Sequence, residues 1–105
     1  MAEFDSVEDL IKCYERGYVG AYSILDQMYE EGNSLGEGEP VGEEYMTPLD
    51  AAIEEEFEIL GDLDDCNNSV VVRISEGEYA VICDCWGPWM VLLTEDLLER
   101  AQEEE

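Results

Sequence analysis

The sequence predicts an α+β protein in which three N-terminal helices precede a small three-stranded antiparallel sheet and a C-terminal helix. Two patterns predict this order. Apolar residues recur at helical spacing through the first 60 residues, and they alternate with polar residues at strand spacing after residue 69. A length of 105 residues suits one domain. We therefore expect a single acidic globular domain over residues 1–105, with a mobile loop at 32–46 and a frayed tail at 102–105.

The first two predicted helices form a hairpin. Ser6 and Asp9 resemble a capping box at the start of the first helix, and Gly17 is typical of the position after its last turn. Gly32 and Asn33 end the second helix. The apolar residues fall on one stripe of each helix: Val7, Leu10, Ile11 and Tyr14 in the first, and Tyr18, Ala21, Tyr22, Leu25, Met28 and Tyr29 in the second.

The third predicted helix carries an acidic row. Thr47 and Pro48 are a strong helix start, because Thr caps the N-terminus and Pro fits the first turn. Four acidic residues recur at intervals of four, which places them along one side of a helix: Asp50, Glu54, Glu58 and Asp62. Gly61 suits the end of the helix. The apolar residues between them are expected to form its buried side: Leu49, Ala52, Ile53, Phe57 and Leu60.

Three strands and a last helix complete the predicted fold. Residues 70–75 and 79–85 alternate between apolar and polar side chains, and the tight turn Glu76-Gly77 joins them into a hairpin. Residues 90–93 are an apolar run typical of a buried strand. Thr94 then caps the final helix, whose apolar positions are spaced for one buried side.

Charge is the most informative feature of the composition. The chain has 29 Asp and Glu against 4 Lys and Arg, a net charge of -25. Such a chain cannot neutralise phosphates, which excludes direct nucleic-acid binding, and it disfavours anionic membranes. With no transmembrane-length apolar run or signal sequence, a cytoplasmic location is expected. Twenty-five charges equal those of about 12 base pairs of duplex DNA. A chain that tolerates such self-repulsion is expected to use it.

Catalytic and metal-binding patterns find little support. The chain has no His and no nucleophile or phosphate-loop motif, so we expect neither an enzyme nor a cofactor. Cys83 and Cys85 are separated by one residue, which is not zinc-site spacing. With Cys13 and Cys66 they are interpreted as small buried hydrophobic side chains. The Asp- and Asn-rich run at 62–68 lacks the Gly and the bidentate acid of a calcium loop, so no metal site is expected.

A small, folded, Glu-rich, His-free chain of this charge resembles the DNA-mimic inhibitors of phages and mobile elements, including anti-restriction and anti-CRISPR proteins. The resemblance covers the whole chain as composition and charge spacing. It implies occlusion of the basic DNA- or RNA-binding site of a host defence protein, a CRISPR effector or restriction enzyme. That basic protein would be the partner. The residues expected to contact it are Asp50, Glu54, Glu55, Glu58, Asp62, Asp64, Asp65, Glu37, Glu39, Glu43 and Glu44.

The sequence leaves two interpretations open for the acidic row and two for the function of the chain. The acidic row is either a phosphate mimic or a solvated helix face. The chain is either an inhibitor or a generic acidic protein, such as a high-salt-adapted domain or an acidic adaptor or chaperone for basic proteins. Its 20 Glu against 9 Asp lean against salt adaptation. Trp86 and Trp89 flank a Gly-Pro turn and are interpreted as core, although an exposed Trp there would be a good interface anchor.

Overall fold

Four helices and five strands make up the part of the chain that the structure describes, residues 4–63 and 69–103 of a computed structural model. The helices are α1 (Val7–Glu15), α2 (Val19–Ser34), α3 (Pro48–Glu54) and α4 (Glu95–Glu103). The strands are β1 (Glu39–Pro40), β2 (Glu58–Asp62), β3 (Ser69–Ser75), β4 (Glu78–Asp84) and β5 (Pro88–Leu92). No helix in these two ranges is long and apolar enough to cross a membrane.

The strands form one antiparallel sheet in the order β1-β5-β4-β3-β2. The prediction of a three-stranded sheet is therefore wrong. β3, β4 and β5 form its centre, and the two additional strands lie at its edges. β1 falls inside the segment predicted as a loop, and with two residues it is too short to leave a periodic signal. β2 falls inside the segment predicted as the third helix.

The two faces of the sheet are covered differently. On one, here called the three-helix face, Val71, Val81 and Val91 pack with buried side chains of α1, α2 and α4. On the other, here called the α3 face, buried residues of β3, β4 and β5 pack against Ala51 and Ala52. Alternation along each strand divides its side chains between the two clusters. The result is a three-layer arrangement with most of the helical mass on one side.

Helices α1 and α2 follow the predicted hairpin. The Ser6 hydroxyl accepts a hydrogen bond from the Asp9 backbone N–H at 3.1 Å, which confirms the predicted cap. α2 ends at Ser34, two residues later than the Gly32 stop that was expected. Gly32 lies inside the helix, where α2 approaches β5 so closely that a Cβ would clash with the Val91 side chain. This glycine serves close packing rather than termination.

Helix α3 begins as predicted but is much shorter. The Thr47 hydroxyl accepts from the Asp50 N–H at 3.1 Å, which confirms the cap. The helix ends at Glu54, and Glu56 has a left-handed backbone with φ of 63°. From Glu58 the chain is extended, and it pairs with β3. The prediction that Asp50, Glu54, Glu58 and Asp62 share one helix face is therefore wrong.

The predicted buried side of the third helix is right for Ala52 and wrong for Leu49 and Ile53. Leu49 and Ile53 are 42% and 57% exposed, whereas Ala51 and Ala52 are fully buried. Phe57 lies beyond the helix and is half-buried against the α3 face. Gly61, expected after the last helical turn, lies at a register shift in the pairing of β2 with β3. Small side chains let α3 sit close to the sheet, and the larger ones point outward.

The last helix closes the chain on its beginning. The Thr94 hydroxyl accepts from the Leu97 N–H at 3.2 Å, as expected of a cap. Gln102, placed in the predicted tail, is helical. Its side-chain oxygen accepts from the Phe4 N–H at 2.6 Å, and its amide donates to the Phe4 carbonyl at 3.2 Å. These bonds fix the first described residue against α4.

Candidate partner-binding surface

The acidic side chains cover the molecule. All those that the structure describes are exposed, except Asp9 and Glu31, which are partly exposed. Within the described ranges, two of these carboxylates form ion pairs with arginines. Arg73 pairs with Glu58 at 3.2 Å, and Arg100 pairs with Asp96 at 3.1 Å. Most of the charge therefore faces solvent without a neighbouring cation, which suits contact with a basic partner.

The residues predicted to contact a partner are not brought into a single row. Asp50 and Glu54 lie on α3, and Glu55 caps its C-terminus. Glu58 and Asp62 lie on β2, at the edge of the sheet, and Glu58 is paired with Arg73. Glu39 is on β1, and Glu37, Glu43 and Glu44 flank that strand as exposed residues. Asp64 and Asp65 lie outside the described residues.

An apolar groove lies among the acidic residues of the segment predicted as a loop. It has a volume of about 600 Å³ and lies between the segment 40–44 and the β4–β5 turn. Pro40, Val41, Pro88 and the two tryptophans supply apolar walls, and the acidic residues Glu43 and Glu44 also line the groove. We call this the aromatic groove. It combines the apolar and acidic elements of a protein-binding site at one end of the sheet.

Backbone contacts hold the groove in shape. The Val41 N–H donates to the Pro88 carbonyl at 3.1 Å, which extends the pairing of β1 with β5. The Cys85 N–H donates to the Gly87 carbonyl at 2.8 Å and closes the turn. Gly87, with φ of 104°, lies so close to Glu44 that a Cβ would be 2.8 Å from its carbonyl oxygen. Only glycine allows the two loops to meet in this way.

Trp86 is the most exposed large apolar residue of the groove. Its side chain is 97% exposed, and its backbone is left-handed with φ of 59°. This conformation is uncommon for a bulky residue. The interpretation of Trp86 as a core residue is therefore wrong. Trp89 is partly buried against the three-helix face, where its indole lies over Gly38.

Further exposed apolar side chains follow the groove along the chain. Tyr45 comes directly after Glu44 and is 83% exposed. The neighbouring Glu43 raises the pKa of the Tyr45 hydroxyl. Leu49 and Ile53 come next, four residues apart on the outer side of α3. This surface was not predicted, because Leu49 and Ile53 were expected on the buried side of the third helix.

The cysteines are not uniformly buried. Cys85 is exposed in the wall of the groove, and Cys13 and Cys83 are partly buried. The interpretation of Cys85 as a buried hydrophobic residue is wrong, and Cys66 lies outside the described residues. In the described ranges, no three His, Cys, Asp or Glu side chains are grouped to hold a metal ion. Most of the Asp- and Asn-rich run at 62–68 is outside those ranges.

No family model, curated protein or solved structure matches the chain.

Proposed function

We propose that the chain is an inhibitory binding protein whose carboxylates take the place of nucleic-acid phosphates. It would occlude the basic DNA- or RNA-binding site of a host defence protein, a restriction enzyme or a CRISPR effector. One observation carries the proposal: the acidic side chains of the described residues lie on the surface, and few have a cation beside them. A folded domain that leaves this much charge uncompensated offers it to a partner.

The density of charge supports the comparison with nucleic acid. The longest dimension of the molecule is 37 Å, and its net charge is -25. This corresponds to one charge per roughly 1.5 Å of length, against one per about 1.7 Å in duplex DNA. A cleft that binds duplex by charge would meet a similar number of carboxylates over a similar distance. Mimicry here depends on overall density, because the predicted helical row does not exist.

Inhibition would proceed by competition for the basic site. The field of the chain attracts a positively charged cleft and speeds association, and added salt screens this attraction. Bound carboxylates would then pair with the Lys and Arg side chains that otherwise hold phosphates. The inhibitor needs no reaction of its own, which fits a sequence without His. Occupied clefts cannot admit nucleic acid.

Cleavage assays test the proposal directly. Purified restriction enzymes and CRISPR effector nucleases are given labelled DNA at physiological salt with increasing amounts of the chain. We expect dose-dependent inhibition of a susceptible nuclease, relieved by excess unlabelled DNA and weakened by salt. Gln replacements at Glu37, Glu39, Glu43 and Glu44 should weaken inhibition. A matched set with the same charge change, at Glu8, Glu15, Glu76 and Glu78, shows whether location matters.

Two results would count against this function. Inhibition that survives neutralisation of the acidic residues around β1, on α3 and β2, and on α4 would exclude charge mimicry. A chain that inhibits nothing and folds only in concentrated salt, measured by circular dichroism, would support a high-salt-adapted domain instead.

A further inference from the structure

We propose that the aromatic groove binds an extended basic segment of the partner protein, in which Lys or Arg side chains flank one aliphatic or aromatic side chain. The apolar side chain would enter the groove, and the flanking cations would meet Glu43 and Glu44. The inference rests on the proposed function only in taking the partner to be a basic protein. It adds the surface that would give a highly charged inhibitor its selectivity.

The apolar walls provide the first argument. Val41 and Pro88 are buried at the base of the groove, and Trp86 stands almost completely exposed at its side. A volume of about 600 Å³ is larger than one side chain needs and suits a short stretch of chain. Trp is among the residues most often found as an energetic anchor in protein interfaces. Desolvation of Trp86 on binding would give the groove a preference for apolar side chains.

The backbone of Trp86 provides the second argument. Left-handed conformations strain bulky residues, and such strain concentrates at binding sites. A glycine at position 86 would adopt the φ of 59° without strain. The chain has a glycine at the next position, 87, but a Trp at 86. The indole at position 86 makes too few contacts with the rest of the protein to compensate for the strain, since it is 97% exposed. A contact with another molecule accounts for a Trp at this position.

Charge selects the class of occupant. Glu43 and Glu44 line the groove, Glu39 lies on the adjoining strand β1, and no Lys or Arg of the described residues lines it. A second copy of the chain, a nucleic acid or an anionic membrane would bring negative charge to an acidic rim and be repelled. A basic protein segment is attracted by the same acidic residues, and its apolar side chain fills the groove between the apolar walls.

Peptide binding to the full chain tests the inference. The probes are a fluorescent lysine-rich peptide with one central Leu and the same peptide with Ser at the centre. Anisotropy titrations should show the Leu peptide binding about tenfold more tightly than the Ser peptide. Trp86→Ala should reduce this preference to near unity. Val19→Ser, which removes a side chain 74% exposed at the start of α2, should leave it unchanged.

A charge variant separates the two contributions. Glu43→Gln combined with Glu44→Gln should weaken both peptides and leave their ratio unchanged, because the apolar walls remain. Circular dichroism confirms folding, and all three replaced groove side chains are exposed. Equal binding of the Leu and Ser peptides, or a preference that Trp86→Ala does not alter, would overturn the inference.

The nuclease assay distinguishes the inference from the proposed function. If the Leu preference depends on Trp86 but no nuclease is inhibited, the groove assignment holds and the nucleic-acid mimic is wrong. The opposite outcome has three parts: nuclease inhibition depends on the carboxylates, the Trp86→Ala variant inhibits as well as the unchanged chain, and the Leu and Ser peptides bind equally. In that case mimicry holds and the groove assignment fails.

Discussion

The two faces of the sheet differ in how they are packed. The three-helix face buries long side chains completely, among them Leu10, Leu25 and Met28. The α3 face meets its seven-residue helix through Ala51 and Ala52. Larger side chains of α3 are turned outward, so this layer covers the strands without enclosing its own apolar residues.

The two faces therefore differ in how much they contribute to stability and in how much apolar surface they leave exposed. Burial of large side chains against α1, α2 and α4 supplies most of the hydrophobic stabilisation. On the α3 side, Leu49 and Ile53 are exposed. The aromatic groove, at one end of the sheet, leaves further apolar surface available among acidic residues. Exposed residues of this surface can be changed at little cost to folding.

The strongest test compares one substitution on both sides. Leu25→Ala on α2 should lower the free energy of unfolding by about 2–5 kcal/mol, because a fully buried side chain is lost and a cavity remains. Leu49→Ala on α3 is the matched control. Its side chain is 42% exposed, so the loss should stay below about 1 kcal/mol. Urea titrations measure both, and equal losses would break the comparison.

An intermediate effect is expected at Phe57, which packs half-buried against the α3 face. Phe57→Ala should cost about 1–2 kcal/mol, below the roughly 3–5 kcal/mol of a fully buried Phe. Chemical denaturation gives the value. A loss as large as that of Leu25→Ala would mean that the α3 face is packed as firmly as the other.

Helix caps could be predicted from the sequence, whereas the structure of the segment after Glu54 could not. Caps are local, and Ser6, Thr47 and Thr94 could each be predicted from a few neighbouring residues. The segment after Glu54 offers two readings, because its apolar residues fit both a helix and a strand. Pairing of β2 with β3 decides between them, and tertiary contacts of this kind override local preference.

The candidate site divides in the same way. Composition alone predicted an acidic surface, since a chain with 29 acidic residues cannot bury many of them. The aromatic groove could not be predicted, because it forms where Gly87 meets Glu44 and these residues are distant in sequence. The Gly-Pro turn is a local signal at this place, but Trp86 beside it was predicted to be a core residue, and its 97% exposure contradicts that prediction.

A pH-dependent effect is expected on the three-helix face. Burial, followed by the proximity of Tyr22 and Asp62, raises the pKa of Tyr14 to about 12. The unfolded state ionises near pH 10 and the folded state later, so stability falls between about pH 10 and 12. Tyr14→Phe should make this decline shallower in alkaline melts. An unchanged slope would contradict the assignment.

The same variant loses a bond at neutral pH. The Tyr14 hydroxyl donates to the Asp62 carbonyl at 2.8 Å and links α1 to β2. Its removal should cost about 1 kcal/mol at neutral pH. Thermal unfolding of the two proteins at pH 7 measures this loss separately from the alkaline effect.

The smallest expected change has the opposite sign. Trp86→Gly should leave stability level or raise it by up to about 1 kcal/mol, because glycine accepts the left-handed backbone and little packing is lost. Trp86→Ala, which keeps the strain, is the control. A marked loss of melting temperature in the glycine variant would show that Trp86 contributes to folding.

The exposed edge at β2 has a consequence for copies of the chain meeting one another. An open edge strand can add a strand from another molecule and so begin aggregation. Here the edge carries Glu58 and Asp62, and its pairing register shifts between Ile59 and Gly61. Pairing of two such edges would place negative charges side by side. The irregularity between Ile59 and Gly61 would also interrupt the regular hydrogen bonding between the two strands. The acidic composition therefore disfavours edge-to-edge association of a valine-rich sheet.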